Sequence, residues 1–217
     1  MDNRSENSLA SALRRRRLQR FLALTAHLPR PVHILDVGGE PRFWEVMGLA
    51  GQSDYDILLL NTQPQPVSQT HMCSVVGDAA DLSRFAGQSF DCVFSNSVIE
   101  HLGSYARQER MAAEIQRVGK TYFVQTPNRF FPIEPHFLLP GFQFFPLAWQ
   151  IWLVQRFDLG WYKRIPDPAQ AQAFIRTHRL LSAAELKRLF PQGYLYHERF
   201  CVLTKSFMVT SQPLPDF

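Results

Sequence analysis

Five short apolar runs, separated by stretches of helical periodicity, set the tightest limit on what this chain can fold into. They read "VHILDV" at 32–37, "YDILLL" at 55–60, "CSVV" at 73–76, "FDCVFS" at 90–95 and "KTYFVQ" at 120–125. Runs this short and this apolar suit strands covered on both faces. Helical stretches near 41–50, 79–86 and 104–118 would supply the covers. In the last, Met111, Ile115 and Val118 share a face, which leaves Arg107, Arg110 and Glu114 for solvent. Repeated β-α steps build a parallel sheet by right-handed crossovers, with the ligand crevice outside the carboxyl ends of the strands.

The rhythm changes twice. Residues 127–170 hold much of the proline and a large share of the 18 Phe and 4 Trp. The segment is too long for a plain connection and too apolar for a flexible linker, so it is expected to pack as an insertion or lid. It is no membrane span, because Pro140, Gly141 and Pro146 interrupt it and Gln143, Gln150 and Gln155 dilute it. An apolar patch beside Arg156, Lys163 and Arg164 leaves a peripheral membrane contact open. Regular structure then resumes with "SAAELKRLF" at 182–190, where Ser182 and Glu185 have capping-box spacing. "YLYHERF" and "VLTKSFMVTS" follow closely enough to form an antiparallel hairpin.

A length of 217 residues suits one sizeable core, so the chain is read as a single domain over 1–217. The net charge of +4 is too small to imply nucleic-acid binding. Cys73, Cys92 and Cys201 show neither zinc-ligand nor redox spacing. Reduced thiols in a cytoplasmic protein are therefore expected, and no metal site. At the N-terminus, Arg14 to Arg17 precede a stretch too polar for a secretion signal. Leu18, Phe21, Leu22 and Leu28 fall on one side of a leading helix within 1–30, which is expected to be solvated.

The residues after each strand are the ones to inspect. Asp36, Gly38 and Gly39 follow the first strand. A glycine there lets a ligand approach the main chain, and a helix N-terminus at 41 would favour an anion. Asn61 ends the second strand, where it can bond a ribose or form a turn. After the third, Asp78 and Ala79 can meet the edge of a base, Asp78 doubling as a helix N-cap. The fourth leads into "SNSVIEHL", which carries Ser95, Asn96, Glu100 and His101. The fifth leads into "NRFFPIEPHF", where Pro132 and Pro135 would hold Arg129, Glu134 and His136 in fixed directions.

Taken in order, "ILDVGG", "GDAADL", "FDCVFSNSVIEHLG" and "YFVQTPNRFFPIEPHF" resemble the class I S-adenosylmethionine-dependent methyltransferases, in the broad bacterial small-molecule group. The resemblance spans about residues 30–135. It implies a Rossmann-like, doubly wound α/β fold with a seven-stranded sheet, mostly parallel, ending in a C-terminal antiparallel hairpin. It also implies S-adenosyl-L-methionine as cofactor and a small-molecule acceptor, lipid- or glycan-linked among the options. Carried over by residue, Asp36, Gly38 and Gly39 surround the methionine moiety and Asn61 faces the ribose. Asp78 and Ala79 face the adenine, and Ser95 closes the site from below. His101, Glu134 and His136 are the candidate bases, with Glu100 behind them. Two departures stand out: the family's G-x-G-x-G reads "GGEPR", and Asn61 replaces an acid. Glu40 and Arg42 either take over contacts to the methionine moiety or obstruct them. A silent methyltransferase-like scaffold and a nicotinamide-dependent oxidoreductase are the alternatives. The second lacks two glycines, the ribose acid and a Tyr-x-x-x-Lys pair.

Overall fold

The computed structural model describes residues 9–214, with side chains from Arg15 onward. Residues 1–8 of the expected leading helix, and the side chain of Arg14, lie outside the described residues. The elements run α1 (Leu9–Thr25), β1 (Val32–Val37), α2 (Pro41–Val46), β2 (Tyr55–Asn61), β3 (Met72–Val76), β4 (Phe90–Asn96), α3 (Tyr105–Val118) and β5 (Gly119–Pro127). They continue with α4 (Leu147–Arg156), α5 (Pro168–Arg176), α6 (Ala183–Leu189), β6 (Tyr194–Phe200) and β7 (Leu203–Thr210). The sheet has seven strands in the order β3-β2-β1-β4-β5-β7-β6, mostly parallel with antiparallel strands at the C-terminal end. Its order reverses between β1 and β4, both of which pair in parallel. In open α/β sheets that reversal marks the ligand crevice.

The chain divides into two compact units. The first comprises residues 1–95, 114–124 and 210–217, and the second residues 96–113 and 125–209.

In the first unit an aromatic cluster fills one face. Phe21 of α1 meets Trp44 and Phe94 edge-on, at 5.7 and 5.2 Å, and Phe94 stacks on Phe123 at 5.6 Å. Phe21 and Leu24 are buried, so α1 is anchored by one face, while Arg15 and Arg16 stay exposed. The expectation of a merely solvated leader is corrected to that extent.

Two helices expected in this unit differ. The stretch 41–50 is helical only over Pro41–Val46, because Gly48 takes a φ of 72° and ends it. The stretch 79–86 forms turns instead. Glu114 Oε2 accepts the Leu82 N–H at 2.8 Å, and Arg117 donates to the carbonyls of Leu82 and Phe85 at 2.9 and 2.8 Å. Those backbone groups would otherwise serve helical bonds, so side chains of α3 replace the ladder.

The second unit contains most of the aromatic insertion, which folds around its own core. Phe137, Phe142, Val154, Ala171 and Ile175 are buried together, flanked by Leu139, Ile151, Tyr162 and Phe174. The glutamines that dilute its sequence have structural work there. Gln143 Nε2 donates to the carbonyls of Arg129 and Phe131, and Gln150 Nε2 to those of Phe142 and Phe145. Trp149, Trp161 and Phe130 remain exposed. The capping box at Ser182 and Glu185 forms as expected. Among the described residues no helix is long and apolar enough to cross a membrane.

Candidate functional site

Each unit carries a cluster of chemistry-bearing residues. In the first unit the loops after β1, β2 and β3 leave neighbouring parallel strands at their carboxyl ends. Gly38 turns the chain at φ 81°, a conformation that disfavours a Cβ, and its N–H donates to the Leu60 carbonyl at 2.7 Å. Asn61 Nδ2 donates to the Gly39 carbonyl at 3.2 Å, which ties the end of β2 to the glycine loop. Asp78 Oδ1 accepts the Ala80 N–H at 2.9 Å. With no helix behind it, Asp78 closes a local turn, and its expected N-cap role is corrected. Ala79 is buried, and so is Ser95, whose hydroxyl donates to the Val37 carbonyl at 3.2 Å and joins β4 to β1.

Asp36 is the anchor of this loop. It is 2% exposed and accepts the indole N–H of Trp44 at 2.7 Å. No motif in "ILDVGGEPRFW" indicates that Trp44 reaches back eight residues to it. The expected anion site at the following helix start is not formed. Pro41 has no N–H to offer, α2 has only six residues, and Glu40 at its N-cap makes no side-chain capping bond. Glu40 and Arg42 are both exposed.

Burial pushes the Asp36 carboxyl up to about 7, with the Trp44 bond pulling the other way and the Glu40 charge adding to the rise. A raised acid holds its proton in the folded chain after the unfolded chain has released it. Stability therefore falls as the pH climbs from near 4 through 7. Asp36→Asn keeps an acceptor for Trp44 but cannot ionise. It is expected to match the wild type near pH 4 and to exceed it at pH 8 by about 2 kcal/mol, after relaxation around the charge. Urea unfolding at the two pH values checks this.

In the second unit three histidines and two carboxylates converge. The rings of His101 and His136 lie 4.7 Å apart, those of His101 and His178 4.8 Å, and those of His136 and His178 5.1 Å. Glu134, 2% exposed, accepts His136 Nδ1 at 2.7 Å on one oxygen. Its other oxygen accepts the main-chain N–H groups of His136 and Phe137, at 2.6 and 2.7 Å. Glu100 is fully buried, and one of its oxygens accepts the Thr126 hydroxyl at 2.8 Å. The structure thus brings together the three candidate bases from positions 101, 134 and 136.

His178 was missed, because "FIRTHRLL" carries no motif and only the turn after α5 delivers the ring. Its Nδ1 donates to the Phe174 carbonyl at 3.1 Å, and its Nε2 pairs with the Tyr162 hydroxyl at 3.2 Å. Burial, with the charge of His136 and then of His178, pulls His101 down to about 3. Burial is the largest influence on His136 and lowers it, but the Glu134 bond and the charges of Glu134 and Glu100 together outweigh it and raise the ring above its ordinary value. Burial pushes Glu100 up to about 7.

Beside this cluster lies a cavity of about 210 Å³. Its walls combine Phe137, Phe142, Ile175 and Leu180 with the polar and charged groups of Arg129, Glu134, Gln143, Gln150, His178 and Arg179. Gln143 Oε1 is buried there without a hydrogen-bond partner.

Residues 45–122 match the methyltransferase domain family. That span runs from β2 to the start of β5 and excludes the glycine loop, one of the two places where the sequence departs from the family pattern. An uncharacterized protein of Mycobacterium tuberculosis, recorded in two strains, is 40% identical over 53 residues, which are 24% of this chain and 18% of that protein. The chain therefore matches less than a fifth of the length of those relatives. A crystal structure of a SAM-dependent methyltransferase from Methanosarcina mazei aligns with TM-score 0.54 and 14% identity, over 88% of this chain and 96% of that one. The 1,6-didemethyltoxoflavin-N1-methyltransferase of Burkholderia thailandensis aligns with TM-score 0.50 and 13% identity, over 92% of this chain and 77% of that one. Likeness at such low identity establishes the fold.

Proposed function

We propose that this chain, a methyltransferase-domain protein over residues 45–122 with the class I methyltransferase fold, is an S-adenosylmethionine-dependent enzyme that methylates a small-molecule acceptor. The observation that carries the reading is the joined pair of loops after β1 and β2, in which Asn61 fixes the Gly39 carbonyl beside the turn at Gly38. The Burkholderia enzyme of the same fold was crystallised with S-adenosylhomocysteine and its substrate together.

When bound, the cofactor supplies a methyl group already activated by a positive sulfur. The protein has to align the acceptor and keep water out. The turn at Gly38 would let the cofactor approach the main chain, while Gly39 leaves room for the Asp36 carboxyl beneath the loop. Asn61 Oδ1, which accepts only a long 3.5 Å contact from Thr62, is available to a ribose hydroxyl. Asp78 and Ala79 flank the base. Asp36 and Ser95 act from beneath, holding the loop and the strand under it. An acceptor with an ionisable proton must also lose it, a step for which His101, Glu134 and His136 are the candidate bases.

A small acceptor, or the small end of a larger one, fits the 210 Å³ cavity, which lies below the usual range for drug-sized ligands. Its mixed walls, with Arg129, Arg179 and the unpartnered Gln143 Oε1 among the polar groups, favour a molecule that combines an apolar part with polar groups, one of them a hydrogen-bond donor. Calorimetric titration of the full chain with S-adenosylhomocysteine tests the reading. Binding in the micromolar range, about −8 kcal/mol, is expected. Binding of NAD with none of S-adenosylhomocysteine would overturn it, as would binding of neither.

A further inference from the structure

We propose that the second unit holds a divalent transition-metal ion between Glu100, His101 and His136. One ligand atom from each lies within 4.8 Å of the others. Three features of these side chains suit a cation rather than chance proximity.

First, Glu100 is fully buried, and its Oε1 has no hydrogen-bond partner although Oε2 is fixed by Thr126. A buried carboxylate oxygen without a partner is costly, and native structures rarely leave one so. Second, the Nδ1 of His136 is committed to Glu134, which is itself held by two main-chain N–H groups. That leaves Nε2 as the ligand nitrogen, in the carboxylate–histidine–metal arrangement that fixes a ligating ring and raises its basicity. Third, the His101 imidazole makes ring contacts only, so both its nitrogens remain for coordination. His178 stands apart, since both its nitrogens are engaged. It forms a wall of the site.

Two imidazoles and a carboxylate suit zinc, cobalt, manganese or ferrous iron better than magnesium or calcium, which prefer all-oxygen shells. Bonds of about 2.1 Å place tetrahedral ligand atoms roughly 3.4 Å apart, so the side chains must draw together by up to about 1.4 Å. Three protein ligands leave a coordination position open. With their nitrogens on a metal, His101 and His136 would no longer serve as bases. An acceptor hydroxyl bound at the open position would instead lose its proton to solvent more readily. The site itself does not rest on the cofactor reading, because its ligands all belong to the second unit.

The test is metal binding by the full chain, stripped with chelator and titrated with Co²⁺ and Zn²⁺ in the absence of any methyl donor. One equivalent is expected to bind, with visible Co²⁺ absorption of a low-coordinate site. Glu100→Gln and His101→Gln are each expected to weaken binding on the order of 100-fold, and Glu134→Gln by about tenfold. His178→Gln is expected to leave it within about threefold. Thermal melts report whether each variant folds. X-ray absorption at the bound Co²⁺ of the unaltered chain reads the ligands directly, with two imidazoles and a carboxylate expected. No bound metal, an all-oxygen shell, or affinity unchanged in folded Glu100→Gln and His101→Gln would each overturn the proposal. Failure here leaves the S-adenosylhomocysteine titration unaffected, so the two readings fail separately.

Discussion

Glu134→Ala is expected to destabilise the chain by about 4 kcal/mol, among the largest losses a single substitution here can cause. The carboxylate sits between prolines in "NRFFPIEPHF" and accepts three hydrogen bonds, two from main-chain N–H groups and one from His136. Phe137, one of the donors, belongs to the buried core of the insertion. Removing the acceptor leaves these donors facing a small void that supplies no oxygen. Each unsatisfied group costs about 1–3 kcal/mol, to which the cavity adds. Glu134→Gln separates charge from hydrogen bonding. Its oxygen can still take both N–H groups, and its amide can donate to the other tautomer of His136, so it should lie within about 1 kcal/mol of wild type. Urea unfolding followed by tryptophan fluorescence measures both, because Trp149, Trp152 and Trp161 all lie in the second unit. Equal stability of the two variants would refute this account of the loop.

Gly39→Ala is expected to lower stability by about 3 kcal/mol and cofactor affinity by about 100-fold. A Cβ at this position would stand 1.9 Å from Asp36 Oδ2 and 2.2 Å from its Cγ, far inside contact distance. The carboxyl would have to leave the indole of Trp44 within a buried site, and the loop whose carbonyl Asn61 holds would shift with it. The conflict is with one side chain, so a second substitution should relieve it. Asp36→Ala combined with Gly39→Ala is expected to be less destabilised than the sum of the two, by about 2 kcal/mol. Additivity in that cycle, or S-adenosylhomocysteine binding unchanged in Gly39→Ala, would show that the loop is supported some other way.

The strands were legible because their apolar runs are continuous and short. Those expected at 32–37, 55–60, 73–76, 90–95 and 120–125 appear with ends shifted by two residues or fewer. The capping box was legible because its two partners lie three residues apart. The helix at 79–86 was misread because what replaces it comes from Glu114 and Arg117, more than thirty residues away. The candidate site divides in the same way. The glycine loop, Asn61 and Asp78 could be named from their places after strands, but not the Asp36–Trp44 bond beneath them. His101, Glu134 and His136 were named one by one, whereas His178 and the unpartnered oxygen of Glu100 became visible only in three dimensions. No ligand spacing announced a metal, since His136 lies 35 positions after His101.

By itself, then, the sequence determined the succession of strands and the loops that must lie at the strand ends. Periodicity and turn chemistry act over a few residues and survive in one dimension. The tertiary structure alone decided that Asp36 supports its loop from below, that α3 replaces a helix with side-chain bonds, and that three histidine rings meet, two of them beside a buried carboxylate. Each of these depends on which polar groups lose water together. Burial is a property of the packed chain, set by neighbours distant in sequence.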